Sequence, residues 1–277
     1  VRERRVADRV QAARARLEAI AARERACPEI HPEHGTRWWI GDEVAPAAVV
    51  LLHGLTNGPP QLDVLGPQLH ARGHAVIVPR MPYHGYRNRM TGAFAKLRAE
   101  DLEAAALEAV ALAALAGDRV VVGGISVGAT LAGWIGARTR IDTGIAIAPF
   151  CGVRELPDGL NDALGELMRT APNAFFWWDP RNRERQPPPH GYPRFSTRAL
   201  GESLRISSEM ERAPAGPHAR RVVTVLNHDD PVVNNAHARR RFDALRPLGI
   251  DVEHVVLTGL PKIHDIVEPA IPQARTE

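Results

Sequence analysis

Lysine is nearly absent from this chain: 35 of its 277 residues are lysine or arginine, yet only Lys96 and Lys262 are lysines. The arginines are scattered among 32 acids, and the formal net charge is only +3. A nucleic-acid footprint needs a concentrated basic face with aromatic or helical readers, so no nucleic-acid partner is expected. Cysteine is equally scarce. Cys27 and Cys151 are too few for a disulfide framework. Two free thiols in a reducing, cytoplasmic compartment are the expectation, with a single bridge as the alternative. No Cys/His cluster has zinc spacing, so a structural metal is not expected. Long apolar runs are missing too: the nearest, Leu102 to Leu115, contains Glu103 and Glu108 and reads as a soluble helix. Val1 to Arg25 is interrupted by arginine and glutamate where a signal peptide would be apolar. Stable membrane insertion is therefore not expected. No internal repeat or low-complexity tract appears, and oligomeric state is not legible.

What remains is a chain with 44% apolar residues, enough for one sizeable core. Val6, Val10, Ala13, Leu17 and Ile20 recur at three- and four-residue steps. This predicts a helical N-terminal extension, residues 1–30, packed across the main domain. Strands are predicted at Arg37–Ile40, Ala48–Leu52, Ala75–Val78, Arg119–Val122, Gly144–Ile147, Arg221–Leu226 and Val252–Leu257. Ala48 to Leu52 is apolar throughout, as a strand buried on both faces must be. Between them lie predicted helices at Gln61–Arg72, Glu100–Ala116, Val127–Arg138 and Asn235–Leu245, with a last loop and helix after Leu257. Strands alternating with helices imply an α/β fold with a mostly parallel central sheet flanked by helices. The alternation fails over residues 150–218, which hold Phe175 to Trp178, the charged run Arg181 to Arg185 and the prolines Pro187 to Pro189. This stretch reads as a cap inserted into a core made of residues 31–149 and 219–277.

Gly124-Ile125-Ser126-Val127-Gly128 has the form G-x-S-x-G. The pentapeptide alone is a moderate signal; its position, closing a buried strand and opening a helix, is what raises it. A sharp strand-to-helix turn exposes the serine hydroxyl, and flanking glycines avoid clashes as the backbone doubles back. The helix N-terminus favours developing negative charge. A serine hydroxyl needs a base that is itself oriented by an acid. With this kind of turn the acid and then the histidine follow on loops after later strands.

Asn227-His228-Asp229-Asp230-Pro231 supplies the acid after the strand ending near Leu226. Pro231 holds the residue before it extended, which favours Asp230; Asp229 remains the alternative. Of the twelve histidines, His264 follows the last strand and fits the chain order. Backbone donors for an oxyanion are expected from Val127, just after the nucleophile, and from Leu55, in the loop after the first buried strand.

These segments together resemble the α/β-hydrolase superfamily, from about Ala47 to the C-terminus. Val49-Val50-Leu51-Leu52-His53-Gly54 resembles its strand and oxyanion loop. Pro79-Arg80-Met81-Pro82-Tyr83-His84-Gly85 resembles the following loop of carboxylesterase- and monoglyceride-lipase-like members. His228 to Val233 resembles the acid loop, and Leu260 to Pro269 the histidine loop. Ala129 departs from the second glycine that many members carry. A serine at the nucleophile position disfavours the dehalogenase and epoxide-hydrolase reactions of the superfamily, which use aspartate there.

The resemblance implies a serine hydrolase cleaving small-molecule carboxylic esters through Ser126, His264 and Asp230 by way of an acyl-enzyme, with no cofactor or metal. A peptidase or amidase on the same triad, and a non-catalytic binding module, are the alternatives. His53, Thr56, His84, Ile125, Trp177 and Trp178 are the candidate pocket residues. The aromatic cluster could equally be packing for the cap itself.

Overall fold

The computed structural model describes residues 2–183, 188–268 and 270–271, and side chains from Asp8 onward except that of Asp158. The predicted roles of the Val6 side chain, of Arg185 and Pro187, and of Pro269 therefore lie outside the described residues. In chain order, helix α1 (Arg2–Ala26) precedes strands β1 (Arg37–Trp39) and β2 (Ala48–Leu52), helix α2 (Leu65–Ala71) and strand β3 (Ala75–Val78). Helix α3 (Ala99–Ala116), strand β4 (Val120–Ile125), helix α4 (Val127–Gly136) and strand β5 (Thr143–Ile147) continue the alternation. Then come α5 (Asp158–Thr170), β6 (Phe175–Trp177), β7 (Arg194–Ser196) and α6 (Thr197–Met210). Strand β8 (Arg221–Asn227), helix α7 (Asn235–Asp243) and strand β9 (Asp251–Leu257) close the fold.

Seven strands form one sheet in the order β1-β3-β2-β4-β5-β8-β9. Only β1 runs antiparallel, pairing Trp38 with Ile77; the remaining pairs are parallel. Alternate side chains of β2 enter different layers, as the two-residue strand period requires. Ala48, Val50 and Leu52 join the larger core with Leu17, Leu112, Leu131 and Phe242. Val49 and Leu51 face the opposite side with Leu62 and the flank of α2. That second face is less covered, leaving an apolar groove of about 350 Å³ bounded by Leu65, Leu69, Val121, Ile145 and Ile147.

Helix α1 packs along α3, burying Val10, Ala13 and Leu17 completely. Its last turn is tied to the site-bearing layer by Glu24, which accepts from Thr36 N (2.6 Å) and Arg80 Nε (2.9 Å). Arg80 in turn donates to the His84 carbonyl (2.9 Å). Leu17→Ala is expected to cost about 2–5 kcal/mol, the lost apolar burial plus an incompletely collapsed cavity. Urea unfolding measures that loss, and turnover per folded molecule stays unchanged.

Two predicted elements differ in the structure. The helix expected over Gln61–Arg72 is a single 3₁₀ turn at Pro59–Leu62, followed after a break by α2. Pro59 and Pro60 have no N–H to give a ladder, and they favour a tight opening turn over an early α-helix. Gly73 follows the end of α2, with φ +87° and its amide donating to the His70 carbonyl (2.8 Å). The helix expected after Leu257 is absent among the described residues, and His264 sits at a bend in an irregular loop instead. The loop is held from outside by Asn227, whose Nδ2 donates to the carbonyls of Pro261 (3.0 Å) and Ile263 (2.8 Å). Among the described residues no helix is long and apolar enough to cross a membrane.

Candidate active site

Ser126 caps α4 with φ +56° and ψ −117°, a backbone region that costs a non-glycine residue free energy. The surroundings impose it. Its amide donates to the Ile147 carbonyl (3.0 Å), and its carbonyl accepts from the Phe150 amide (3.1 Å). The flanking glycines are required by close approach: a Cβ on Gly124 would lie 2.3 Å from the Gly128 carbonyl oxygen, and one on Gly128 2.2 Å from that of Leu52. Both obstacles are backbone, so neither can move aside cheaply. Gly128→Ala is accordingly expected to destabilise the fold by about 1–3 kcal/mol, the usual range for overpacking, or by more. Thermal unfolding with circular dichroism reads the change, and serine reactivity falls with it. All ten residues of α4 are buried, so the turn stands on a rigid helix.

Asp230, 2% exposed, lies in the loop after β8. One carboxylate oxygen accepts from the amides of Val232 (2.8 Å) and Val233 (3.0 Å). The other is 2.8 Å from His264 Nδ1. Asp229 is the more exposed neighbour, and its amide donates to Asn227 Oδ1 (3.2 Å). With Nδ1 held by the carboxylate, His264 Nε2 is buried and has no hydrogen-bond partner among the described residues.

A cavity of about 420 Å³ brings Ser126, Val127, Leu55 and His264 together. Its walls are mainly apolar, with Ile125, Phe150, Trp178, Tyr192, Leu200 and Val232 prominent. Of the predicted pocket residues, Thr56, Ile125 and Trp178 line it. Trp178 reaches over from the segment between β6 and β7 to donate its indole N–H to Thr56 Oγ1 (2.9 Å). The Tyr192 amide, from the same segment, donates to the Thr56 carbonyl (2.7 Å).

His53, His84 and Trp177 are not among the lining residues. His53 and His84 are 2% and 1% exposed and bond to the backbone of the loop that holds Gly54 and Leu55. His53 Nδ1 is 3.0 Å from the Gly54 carbonyl oxygen, while its Nε2 accepts from the Met81 amide (3.3 Å). Burial pushes its pKa well below the ordinary value, with the nearby His84 adding to the shift. His84 Nε2 is 2.6 Å from the Leu55 carbonyl and Nδ1 2.8 Å from that of Pro82. Burial lowers its pKa to about 4, outweighing the carbonyls that favour the charged ring. Trp177 instead pairs with Arg194 across the β6–β7 hairpin.

Sequence reasoning passed over Asn57, Gln61, Asn227, Asp265 and Glu268. Each is polar and largely enclosed, and each bonds between loops distant in the chain. The adjacency of Asp265 to His264 was the one available signal. Among the described residues no cluster of His, Cys, Asp and Glu could hold a metal ion.

This architecture defines the α/β-hydrolase class of fold. The profile of the alpha/beta hydrolase family matches residues 49–262, more than half of the sequence, and the chain belongs to that family. No functionally curated protein matches it by sequence. Among solved structures, one of the metagenome-derived lipolytic enzymes LipS and LipT superposes with a TM-score of 0.64 at 19% identity, covering 83% of this chain and 89% of that one. A monoacylglycerol lipase from Paleococcus ferrophilus gives 0.63 at 18% identity, covering 83% and 90%. A soluble variant of the Saccharomyces cerevisiae monoglyceride lipase, in complex with a substrate analog, gives 0.60 at 14%, covering 84% of each. At these identities the likeness is one of fold.

Proposed function

We propose that this protein is a serine hydrolase that cleaves carboxylic esters through an acyl-enzyme. The observation that carries the reading is His264, whose Nδ1 is held by Asp230 while its buried Nε2 is unpartnered at the cavity that Ser126 lines. An imidazole held in that way keeps its Nε2 lone pair for a proton. Ser126 Oγ attacks the ester carbonyl as His264 takes its proton, and Asp230 stabilises the resulting imidazolium. The amides of Leu55 and Val127 receive the charge on the carbonyl oxygen. Collapse expels the alcohol with the proton from His264, and water repeats the sequence on the acyl-enzyme. No cofactor takes part.

Residues 150–218 serve as a cap in this reading, because Phe150, Trp178, Tyr192 and Leu200 line the same cavity as Ser126. A cavity of about 420 Å³ suits a small or medium acyl group, and its apolar wall disfavours charged ones. The free Cys27 and Cys151 support a reducing, cytoplasmic setting. Burial pushes the Cys151 thiol up to about 11, which makes it a poor rival nucleophile.

Hydrolysis of p-nitrophenyl esters of graded acyl length tests the reading. The expected profile favours short and medium chains, and Trp178→Ala moves the optimum toward longer ones with a change in KM. A flat profile unaffected by Trp178→Ala would remove the pocket assignment. Absence of any ester turnover by folded protein would remove the function.

A further inference from the structure

We propose that Gln61 is a positioning residue that locks the oxyanion loop to the histidine loop through a single buried carboxamide. The proposal rests on the serine-hydrolase reading above. Gln61 is 3% exposed, in the 3₁₀ turn that follows the oxyanion loop. Its Oε1 accepts from the Gly54 amide (2.8 Å), and its Nε2 donates to Asp265 Oδ2. Asp265 directly follows His264, and its other oxygen accepts from the amides of Glu268 (3.0 Å) and Val267 (3.3 Å). A third strand of the link is Asn57, whose Nδ2 lies 3.4 Å from Asp265 Oδ2 and from Glu268 Oε2.

The geometry gives these bonds a consequence for catalysis. Gly54 is held on both sides: its N–H by Gln61, and its carbonyl by the Asn57 amide (3.1 Å) with His53 Nδ1 at 3.0 Å. In a trans peptide the carbonyl and the following N–H point in opposite directions. The bonds to the Gly54 carbonyl therefore fix the peptide plane that also carries the Leu55 N–H, and Leu55 lines the cavity. The group that fixes Gly54 also grips the residue beside His264, so the oxyanion donor and the base are held in register. Only a side chain that accepts at one atom and donates at the other meets both demands. A carboxamide does so; a carboxylate or an apolar chain of the same length does not.

The test is steady-state kinetics on a p-nitrophenyl ester with Gln61→Glu, Gln61→Met, Asp265→Asn and the double variant Gln61→Glu/Asp265→Asn. Gln61→Glu still accepts from Gly54 but sets one carboxylate against another. Asp265→Asn sets one N–H donor against another. In the double variant the bond is restored with its direction reversed and the net charge unchanged. Each single variant is expected to lose about a hundredfold in kcat, the scale of a small misplacement of reacting groups, with KM little changed. The double variant is expected to recover most of that loss.

Wild-type kcat in Gln61→Glu or Gln61→Met overturns the proposal. So does a loss that the double variant fails to repair, or a rise in KM at constant kcat, which would make Gln61 merely a wall of the pocket. If Gln61→Glu fails to fold, Asp265→Asn and the double variant carry the same comparison. Wild-type protein without turnover would overturn the serine-hydrolase reading itself, and this proposal with it.

Discussion

Ser126→Ala is expected to lower ester turnover by about five to six orders of magnitude, the scale seen when a triad nucleophile is removed. Alanine leaves no oxygen to attack the carbonyl. What survives is substrate binding and the backbone donors, together worth roughly 10³–10⁴ over water in comparable sites. The fold should persist, because the hydrogen bonds that hold residue 126 in its strained conformation come from its backbone amide and carbonyl. Labelling by a fluorophosphonate probe, with circular dichroism on the same samples, provides the measurement. Wild-type protein is expected to label and to turn over, and the folded variant to do neither. Labelling retained by Ser126→Ala would place the nucleophile elsewhere, and folded wild-type protein that never labels would favour a binding module.

Asp230→Asn is expected to reduce kcat by about 10⁴, while Asp229→Asn leaves it near the wild-type value. The asymmetry follows from position. Asp230 is 2% exposed and its Oδ2 is 2.8 Å from His264 Nδ1, whereas Asp229 is only partly enclosed beside it. An asparagine at 230 keeps the size, but its Oδ1 position must still accept from Val232 and Val233. That leaves its amide N–H₂ against His264 Nδ1, which must then accept. The imidazole proton moves to Nε2, where a lone pair is needed to deprotonate the serine. The comparison of kcat for the two variants decides between the neighbouring carboxylates; a large loss in Asp229→Asn with Asp230→Asn near normal would reverse the assignment.

Much of the scaffold could be read from local pattern. The fully apolar β2, the alternating helices and the glycines around Ser126 are each dictated by short-range requirements: burial on two faces, helical period, and backbone approach at the turn. The helix expected after Leu257 does not form because Asn227, far away in sequence, takes the carbonyls of Pro261 and Ile263. The pocket residues divide for a similar reason. Thr56 and Ile125 adjoin recognisable motifs, but nothing local shows that His53 and His84 bond to the backbone of Gly54 and Leu55 instead of lining the cavity, or that Trp178 lines it while Trp177 does not.

By itself the sequence determined the α/β alternation and the serine turn, and it nominated one acid loop and one histidine, because each depends on residues close together in the chain. The sequence only favoured Asp230 over Asp229; tertiary structure set Asp230 against His264 and brought Tyr192 to the cavity wall. It also joined Gly54, Gln61 and Asp265 in one hydrogen-bonded link. Apart from the seven-residue step from Gly54 to Gln61, the hydrogen bonds among them span 34 to 204 positions and exist only once the sheet has set its loops side by side. A hydrogen bond between side chains so distant leaves no periodicity for a linear reading to find.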